Sequence, residues 1–360
     1  MLRFPAEVVA RVRPFYEGRS VCVTGGAGFI GGHLVDALLA LGASVTVLDD
    51  LSNSSLSHLS GLMELDSERV QFVHGSILDD AALREAISLH DGAKSIFHLA
   101  ALGSVPRSVK YPERTFEVNA VGTLRVLEAA RAVRAGRVVY ASSSSVYGDG
   151  ALQPKHEGML PSPASPYGAA KLAGEHLCAT WARTYGLSTV SLRYFNVFGP
   201  RQRHDSAYAA VIPVFVRRLL AGERPVIFGD GMQTRDFTFV ANTVLGTLLA
   251  GAADRPLAGE AFNIATASRT SLLELTERLS AIVHDPGSGG SHTGPLKPEV
   301  KAEHKPARPG EVLHSQADIG RAEEALGYRP VVDLEAGLTQ TVRYYRELAE
   351  WKAGGPAEGH

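Results

Sequence analysis

Val21-Cys-Val-Thr-Gly-Gly-Ala-Gly-Phe-Ile-Gly31 decides the fold. Its first four residues are β-prone and mostly apolar, and they feed directly into a glycine-rich loop. His33 to Leu41 then reads as an amphipathic helix. Strand, glycine loop and helix in that order are the context in which such a pattern signals a dinucleotide site. Gly25 or Gly26 permits the tight turn, Gly28 lets the backbone approach a pyrophosphate, and Gly31 allows close helix–strand packing. The pyrophosphate is expected at the helix N-terminus, beside Phe29 and Ile30, where unpaired N–H groups and the helix dipole favour an anion.

Working outward, Val45-Thr-Val-Leu-Asp49 reads as a second apolar strand ending in an acid. A carboxylate there accepts hydrogen bonds from the adenosine ribose and repels a 2′-phosphate, which favours NAD over NADP. Asp50 adds a second negative charge. Arg69 to His74, Ser95 to Leu99, Arg137 to Ala141 and Thr189 to Arg193 read as further strands, with helical periods between them. This alternation predicts an α/β fold, a Rossmann-like doubly wound parallel sheet with helices on both faces. Residues 1–193 are expected to form this domain, with a return at 234–264. Residues 194–233 and 265–350 are expected to make a smaller, mostly C-terminal substrate-binding domain. Ile319 to Leu326 and Leu334 to Glu350 read as helices, Asp285 to Pro309 as a loop, and 351–360 as a flexible tail.

Tyr167 and Lys171 stand four residues apart in Pro-Tyr-Gly-Ala-Ala-Lys, downstream of the run Ser142 to Ser145. Four residues is one helical turn, so phenol and ammonium share a face. A cation beside a phenol favours the phenolate, which brings a base with a pKa near ~10 into useful range. With a serine hydroxyl to orient an alcohol, the set can take a proton from a carbinol.

The 360 residues are 45 % hydrophobic with a net charge of −2. That is ample for a large core, and no basic excess points to nucleic acid or a membrane surface. No apolar stretch approaches the roughly 20 residues of a membrane span. Phe4 to Tyr16 reads as a packed N-terminal helix rather than a signal peptide. Cys22 and Cys178 are expected as buried thiols, consistent with a reducing cytoplasm. His98 and His314 lack the spacing of metal ligands and are read as packing or hydrogen-bonding residues, with no metal expected.

The chain resembles the extended short-chain dehydrogenase/reductases, specifically the nucleotide-sugar epimerases. The matching pieces are Thr24-Gly-Gly-Ala-Gly-Phe-Ile-Gly, Leu48-Asp-Asp-Leu-Ser-Asn53, His98-Leu-Ala-Ala, Ser142-Ser-Ser-Ser-Val-Tyr-Gly, Tyr167-Gly-Ala-Ala-Lys, Leu192-Arg-Tyr-Phe-Asn-Val-Phe-Gly, Gly229-Asp-Gly-Met-Gln-Thr-Arg-Asp-Phe and Arg308-Pro-Gly-Glu. It is most similar to bacterial UDP-N-acetylglucosamine 4-epimerases, through Ala101-Leu-Gly-Ser-Val-Pro-Arg-Ser, Ala207-Tyr-Ala-Ala-Val-Ile-Pro and Val312-Leu-His-Ser-Gln-Ala-Asp. The resemblance implies that Tyr167 is the base and that Lys171 lowers its pKa while holding the nicotinamide ribose. It implies that Ser143, four residues before Tyr147, bonds the substrate O4, with Ser144 and Ser145 as polar neighbours. NAD contacts are implied for Asn53, Ser76, Ile77, Leu99, Ala100, Ala101, Asn119 and Tyr194. Substrate contacts are implied for Ser104, Asn196, Ala210, Val211, Arg235, Arg308, Glu311 and Ser315, with Asn196, Arg235 and Arg308 gripping the diphosphate. Ser76 departs from the family's acid near the adenine.

Within that family a dehydratase needs an acid pair where Ser144 and Ser145 stand, and a decarboxylase usually has Glu at position 145. Neither acid is present, which leaves epimerisation at C4. The resemblance further makes Ser315 the residue limiting room at the sugar C2, so UDP-GlcNAc/UDP-GalNAc interconversion is expected, with weaker activity on UDP-Glc/UDP-Gal. UDP-glucuronate 4-epimerase is the enzymatic alternative, with Arg107 or Arg201 as the cation for a C6 carboxylate. A non-catalytic NAD-binding scaffold is the alternative of another class. A homodimer joined by helices around Gly122 to Arg134 and Pro166 to Arg183 is also implied.

Overall fold

The central sheet contains β1 (Ser20–Thr24), β2 (Ser44–Asp49), β3 (Val70–His74), β4 (Ser95–His98), β5 (Arg137–Ser143), β6 (Thr189–Tyr194) and β7 (Ala258–Ile264). All its pairings are parallel, in the order β7-β6-β5-β4-β1-β2-β3. This is seen in a computed structural model that describes residues 4–89, 93–150, 152–203, 210–284, 302–306 and 314–354. Strands covered on both faces need apolar residues at nearly every position. Accordingly, alternate residues of β1 enter two different cores. Val21 and Val23 join Leu34, Val35, Leu38, Val244 and Leu248 on one face. Cys22 joins Leu83, Ile87, Val126, Leu127 and Cys178 on the other.

The helices follow from this two-sided demand. On the first face lie α1 (Ala6–Tyr16), α2 (Phe29–Ala40) and a helix near the end of the domain; α3 (Asp80–Ser88), α4 (Gly122–Ala132) and α5 (Pro166–Tyr185) lie on the second, and α6 (Val240–Gly251) is the late helix of the first. The helix expected at His33 to Leu41 begins at Phe29 and is not amphipathic. Gly31 to Leu38 are all buried, because α2 is caught between the sheet and α6, itself buried along its whole length. The N-terminal helix is packed: the Tyr16 hydroxyl donates to the Leu248 carbonyl at 2.7 Å, and Arg11 to that of Leu326 at 2.8 Å.

Strand order reverses between β1 and β4, so connections leave to opposite sides and open a crevice at the carboxyl ends. Beyond β6, short ladders replace the regular rhythm. Val197–Phe198 pairs with Thr238–Phe239, Thr234–Arg235 with Thr270–Ser271, and Val226–Phe228 with Glu303–Lys305. Glu303–Lys305 is therefore a strand inside the stretch read as loop; residues 285–301 and 307–313 of the chain lie outside the described residues. Helices Val211–Leu220, Leu272–His284 and Leu334–Gly354 pack together beside these ladders. No described helix is long and apolar enough to cross a membrane.

Candidate active site

Gly25 has φ +74°, and a Cβ there would lie 2.6 Å from the Ala100 backbone nitrogen. A Cβ at Gly31 would lie 2.1 Å from the Gly25 carbonyl oxygen. Both glycines are thus required by the chain's own turn and packing. Gly28 caps α2 without a side chain, so nothing on the cap competes for the first-turn amides near Phe29 and Ile30. A helix start of this kind suits a pyrophosphate. Asp49, at the end of β2, accepts from Ala27 N (3.0 Å), Leu51 N (2.9 Å) and the Ser54 hydroxyl (2.8 Å). A carboxylate has about four acceptor positions, so one remains for a ribose hydroxyl. Asp50 and Asn53 are exposed beside it. The cradle, the uncapped helix start and the carboxylate together fit a dinucleotide without a 2′-phosphate. Ser76 is less suited to adenine than expected, because its hydroxyl oxygen already accepts from Leu78 N at 3.2 Å. Ile77 is buried against Gly122, whose missing Cβ makes room for it.

Across the crevice, β4 ends in a buried relay. The Thr24 hydroxyl meets His98 Nδ1 at 2.7 Å, and His98 Nε2 meets the Thr123 hydroxyl at 3.0 Å. Thr123 donates to the Asn119 carbonyl, and Thr24 accepts from Ala100 N. Those directions assign the histidine proton to Nε2. Burial, with Lys171 adding to it, pushes His98 down to about 3, so it stays neutral. Asn119 braces the loop that follows β4. Its amide grips Leu102 from both sides, accepting from Leu102 N at 2.8 Å and donating to Leu102 O at 3.2 Å. It therefore shapes the Leu99, Ala100, Ala101 loop and keeps a second N–H for another partner. Ser104 caps the helix Val105–Lys110, accepting from Arg107 N.

Ser143 ends β5 and pairs in register with Tyr194 of β6. Tyr167 and Lys171 open α5, whose start is set by Ser165 as N-cap and Pro166 in the first turn. Tyr167 N donates to the Ser108 hydroxyl at 3.1 Å, which anchors this end. The phenol is partly buried, and burial raises its pKa; hydrogen bonding with Ser143 opposes that rise. Lys171 donates to the Ala141 carbonyl at 2.7 Å and lies 4.9 Å from the centre of the Tyr140 ring. Its own burial pushes it down to about 7, with Cys178 and Glu175 resisting. Ser145 is turned toward Ser143, donating its backbone N–H to, and accepting from, the Ser143 hydroxyl (both 3.1 Å); Ser144 is partly buried beside them. The Tyr194 hydroxyl is 2.7 Å from Thr247, so only its ring and backbone remain for a cofactor.

A network that the sequence reading missed lies behind this set. Glu175 takes two bonds from Arg193, at 2.9 and 2.6 Å, and one from the Ser142 hydroxyl at 2.5 Å, all buried. The Arg193 guanidinium also lies 4.7 Å from the Tyr147 ring centre, and Tyr147 donates to Asn263 at 2.7 Å. Burial opposes charge on Arg193, but the Glu175 bonds outweigh it and raise its pKa. The available signal was spacing: Glu175 follows Lys171 by another helical turn, on the same face.

On the substrate side, Asn196 has φ 33° and donates to the Asp236 carbonyl at 3.2 Å. Arg235 sits on the short ladder, donating to the Thr234 carbonyl. Ala210 and Val211 start the helix Val211–Leu220. Ser315 is buried, its N–H donating to the Thr234 carbonyl at 3.1 Å, and His314 bonds the Thr234 hydroxyl. Arg308 and Glu311 lie outside the described residues, as do 204–209, which include Ala207. Arg201 is an ion-pair partner of Asp36 and also contacts His33 Nδ1, so it is not poised for a sugar carboxylate.

The sequence pattern of the NAD dependent epimerase/dehydratase family matches residues 21–265. A UDP-glucose 4-epimerase of Mycolicibacterium smegmatis is 39 % identical over 91 % of this chain and 99 % of its own length. The structure of a UDP-N-acetylglucosamine 4-epimerase from Methanobrevibacter ruminantium, in complex with UDP-N-acetylmuramic acid, superposes with a TM-score of 0.82 at 34 % identity, covering 92 % of this chain and 99 % of that one. A mutant UDP-glucuronic acid 4-epimerase from Bacillus cereus, solved with a fluorinated substrate analogue and NAD, gives 0.79 at 32 % identity, covering 91 % and 99 %.

Proposed function

Because the chain belongs to the NAD dependent epimerase/dehydratase family, we propose that it is a 4-epimerase of UDP-linked hexoses, acting chiefly on UDP-GlcNAc and UDP-GalNAc. NAD is its cofactor. When bound, NAD supplies the hydride acceptor and donor for C4 of the sugar. Gly25, Gly28, the start of α2 and Asp49 would hold it, and Lys171, with donors beyond its Ala141 bond, would hold the nicotinamide ribose. Tyr167 accepts the O4 proton and later returns it, while Ser143 bonds O4 and orients it. Asn196 and Arg235, with Arg308, grip the diphosphate; a guanidinium suits this because it binds phosphate oxygens in pairs.

The observation that carries the reaction type is the absence of an acid after Ser143. Ser144 and Ser145 stand where elimination or decarboxylation needs carboxylates, and Ser145 is engaged with Ser143. Without such carboxylates, these residues would favour rotation of a 4-keto sugar and return of the hydride to its other face. Ser315 supports the acetamido sugar, because a buried serine leaves room at C2 that a tyrosine would fill. The Arg201–Asp36 pair takes one of the two cations considered for a sugar carboxylate and leaves Arg107 as the other. Two buried, unbridged thiols fit the reducing cytoplasm.

We also propose a homodimer. Pro112, Phe116, Val121, Pro166 and Ala169, with Glu113 and Glu117, line a largely apolar groove between the first turn of α5 and the segment before α4, with Phe116 48 % exposed. The test of function is product analysis after incubating purified protein with UDP-GlcNAc and no added cofactor. UDP-GalNAc is the expected product. Turnover of UDP-glucuronate alone overturns the substrate assignment.

A further inference from the structure

Ser315 is held from two directions. One is the short ladder, where its N–H meets the Thr234 carbonyl. The other is the loop that leaves the Ser143–Tyr147 turn. In that loop Gln153 spans Ser315: its Nε2 donates to the His314 carbonyl at 2.7 Å, and its Oε1 accepts from the Gln316 N–H at 3.0 Å. Two residues on, Lys155 N donates to the Gln316 carbonyl at 2.7 Å, and Lys155 O accepts from Asp318 N at 2.8 Å. The segment 153–155 therefore runs beside 314–318 as a short strand would. At position 153 the side-chain amide supplies the donor and acceptor that a backbone would otherwise provide. A shorter or apolar side chain cannot replace both bonds.

We propose that Gln153 is a specificity-positioning residue, holding Ser315 at the depth that admits a 2-acetamido group. This rests on the reading of Ser315 as the residue bounding the sugar C2 position. Gln153 does not touch the reacting atoms; it acts on the pocket wall through the backbone on either side of Ser315. Without it, Lys155 still holds Gln316 and Asp318, but the carbonyl before Ser315 and the N–H after it lose their shared brace, and a shift of Ser315 toward the sugar costs the bulkier substituent more than the smaller hydroxyl.

The test compares kcat/KM for UDP-GlcNAc and UDP-Glc in the NAD-loaded wild type, Gln153→Ala and Gln153→Glu. Gln153→Ala should lower the UDP-GlcNAc value about fivefold or more relative to UDP-Glc. Gln153→Glu keeps the acceptor for Gln316 but sets a carboxylate against the His314 carbonyl, and should shift the ratio in the same direction. A purely structural role would lower both values together. A ratio within about twofold of wild type in both variants, whether the constants fall together or stay unchanged, overturns the proposal. Wild-type protein that acts on UDP-Glc but not on UDP-GlcNAc overturns instead the reading of Ser315 on which it rests.

Discussion

Tyr167 and Lys171 face the same electrostatic problem in one site, with pKa shifts of opposite sign. The phenol is driven toward its neutral form by burial, and the ammonium is driven toward its neutral form as well, to about 7. If Tyr167 is the base proposed above, its phenolate has to be stabilised against this burial, and the hydrogen bond with Ser143 acts in that direction. Tyr167→Phe should reduce kcat by about 10²–10⁴-fold, with an unchanged circular dichroism spectrum and melting temperature; full activity in that variant would remove Tyr167 from the chemistry. For Lys171, the folded-state pKa lies below the ordinary 10.5. Between the two values the unfolded chain binds more protons than the folded one, so the contribution of this group to stability rises with pH. Below about 7 both states are protonated and the burial penalty is constant. In NAD-stripped protein, the stability difference between wild type and Lys171→Met, measured by urea unfolding, should move in favour of wild type by on the order of 1 kcal/mol per pH unit across that window. No such movement would mean that the ammonium is solvated.

At the scale of elements, α5 is joined to the sheet through charge. Its Glu175 is the buried partner of Arg193 on β6 and of Ser142 on β5, so one carboxylate ties the catalytic helix to two strands whose ends form the site. Removing it leaves a buried guanidinium unpaired. Glu175→Ala should cost about 3–5 kcal/mol, read as a lower urea midpoint, while Arg193→Met with Glu175→Met together should cost much less. Equal losses in the single and double variants would contradict this account. The same elements explain what could be read early. β1, the glycine loop and α2 are contiguous, and their signals are local: β-prone residues, then glycines at turn spacing. Even there, the amphipathic reading of α2 failed, because the second layer that covers its outer face is α6, more than 200 residues away in the chain.

For the whole molecule, the parallel sheet gathers segments from β1 to β6 along one edge, so Gly25, Asp49, His98, Ser143 and Tyr194 arrive within one crevice. The apolar groove borders the first turn of α5. Phe116→Asp should convert the proposed dimer to a species of single-chain mass in sedimentation velocity, with the fold retained; an unchanged mass would exclude this groove as the contact. The chain sequence by itself determined the alternation of strands and helices, the glycine turn, the acid after β2 and the tyrosine–lysine turn, because each depends on residues within a few positions of one another. Only the tertiary structure decided that Lys171 rests on Ala141 and Tyr140, that Asn119 grips Leu102, that Arg201 belongs to Asp36, and that Gln153 spans Ser315. Those partners are set by how distant strands and loops come to lie side by side, and a polar side chain carries no local mark of the group it will meet once water is excluded.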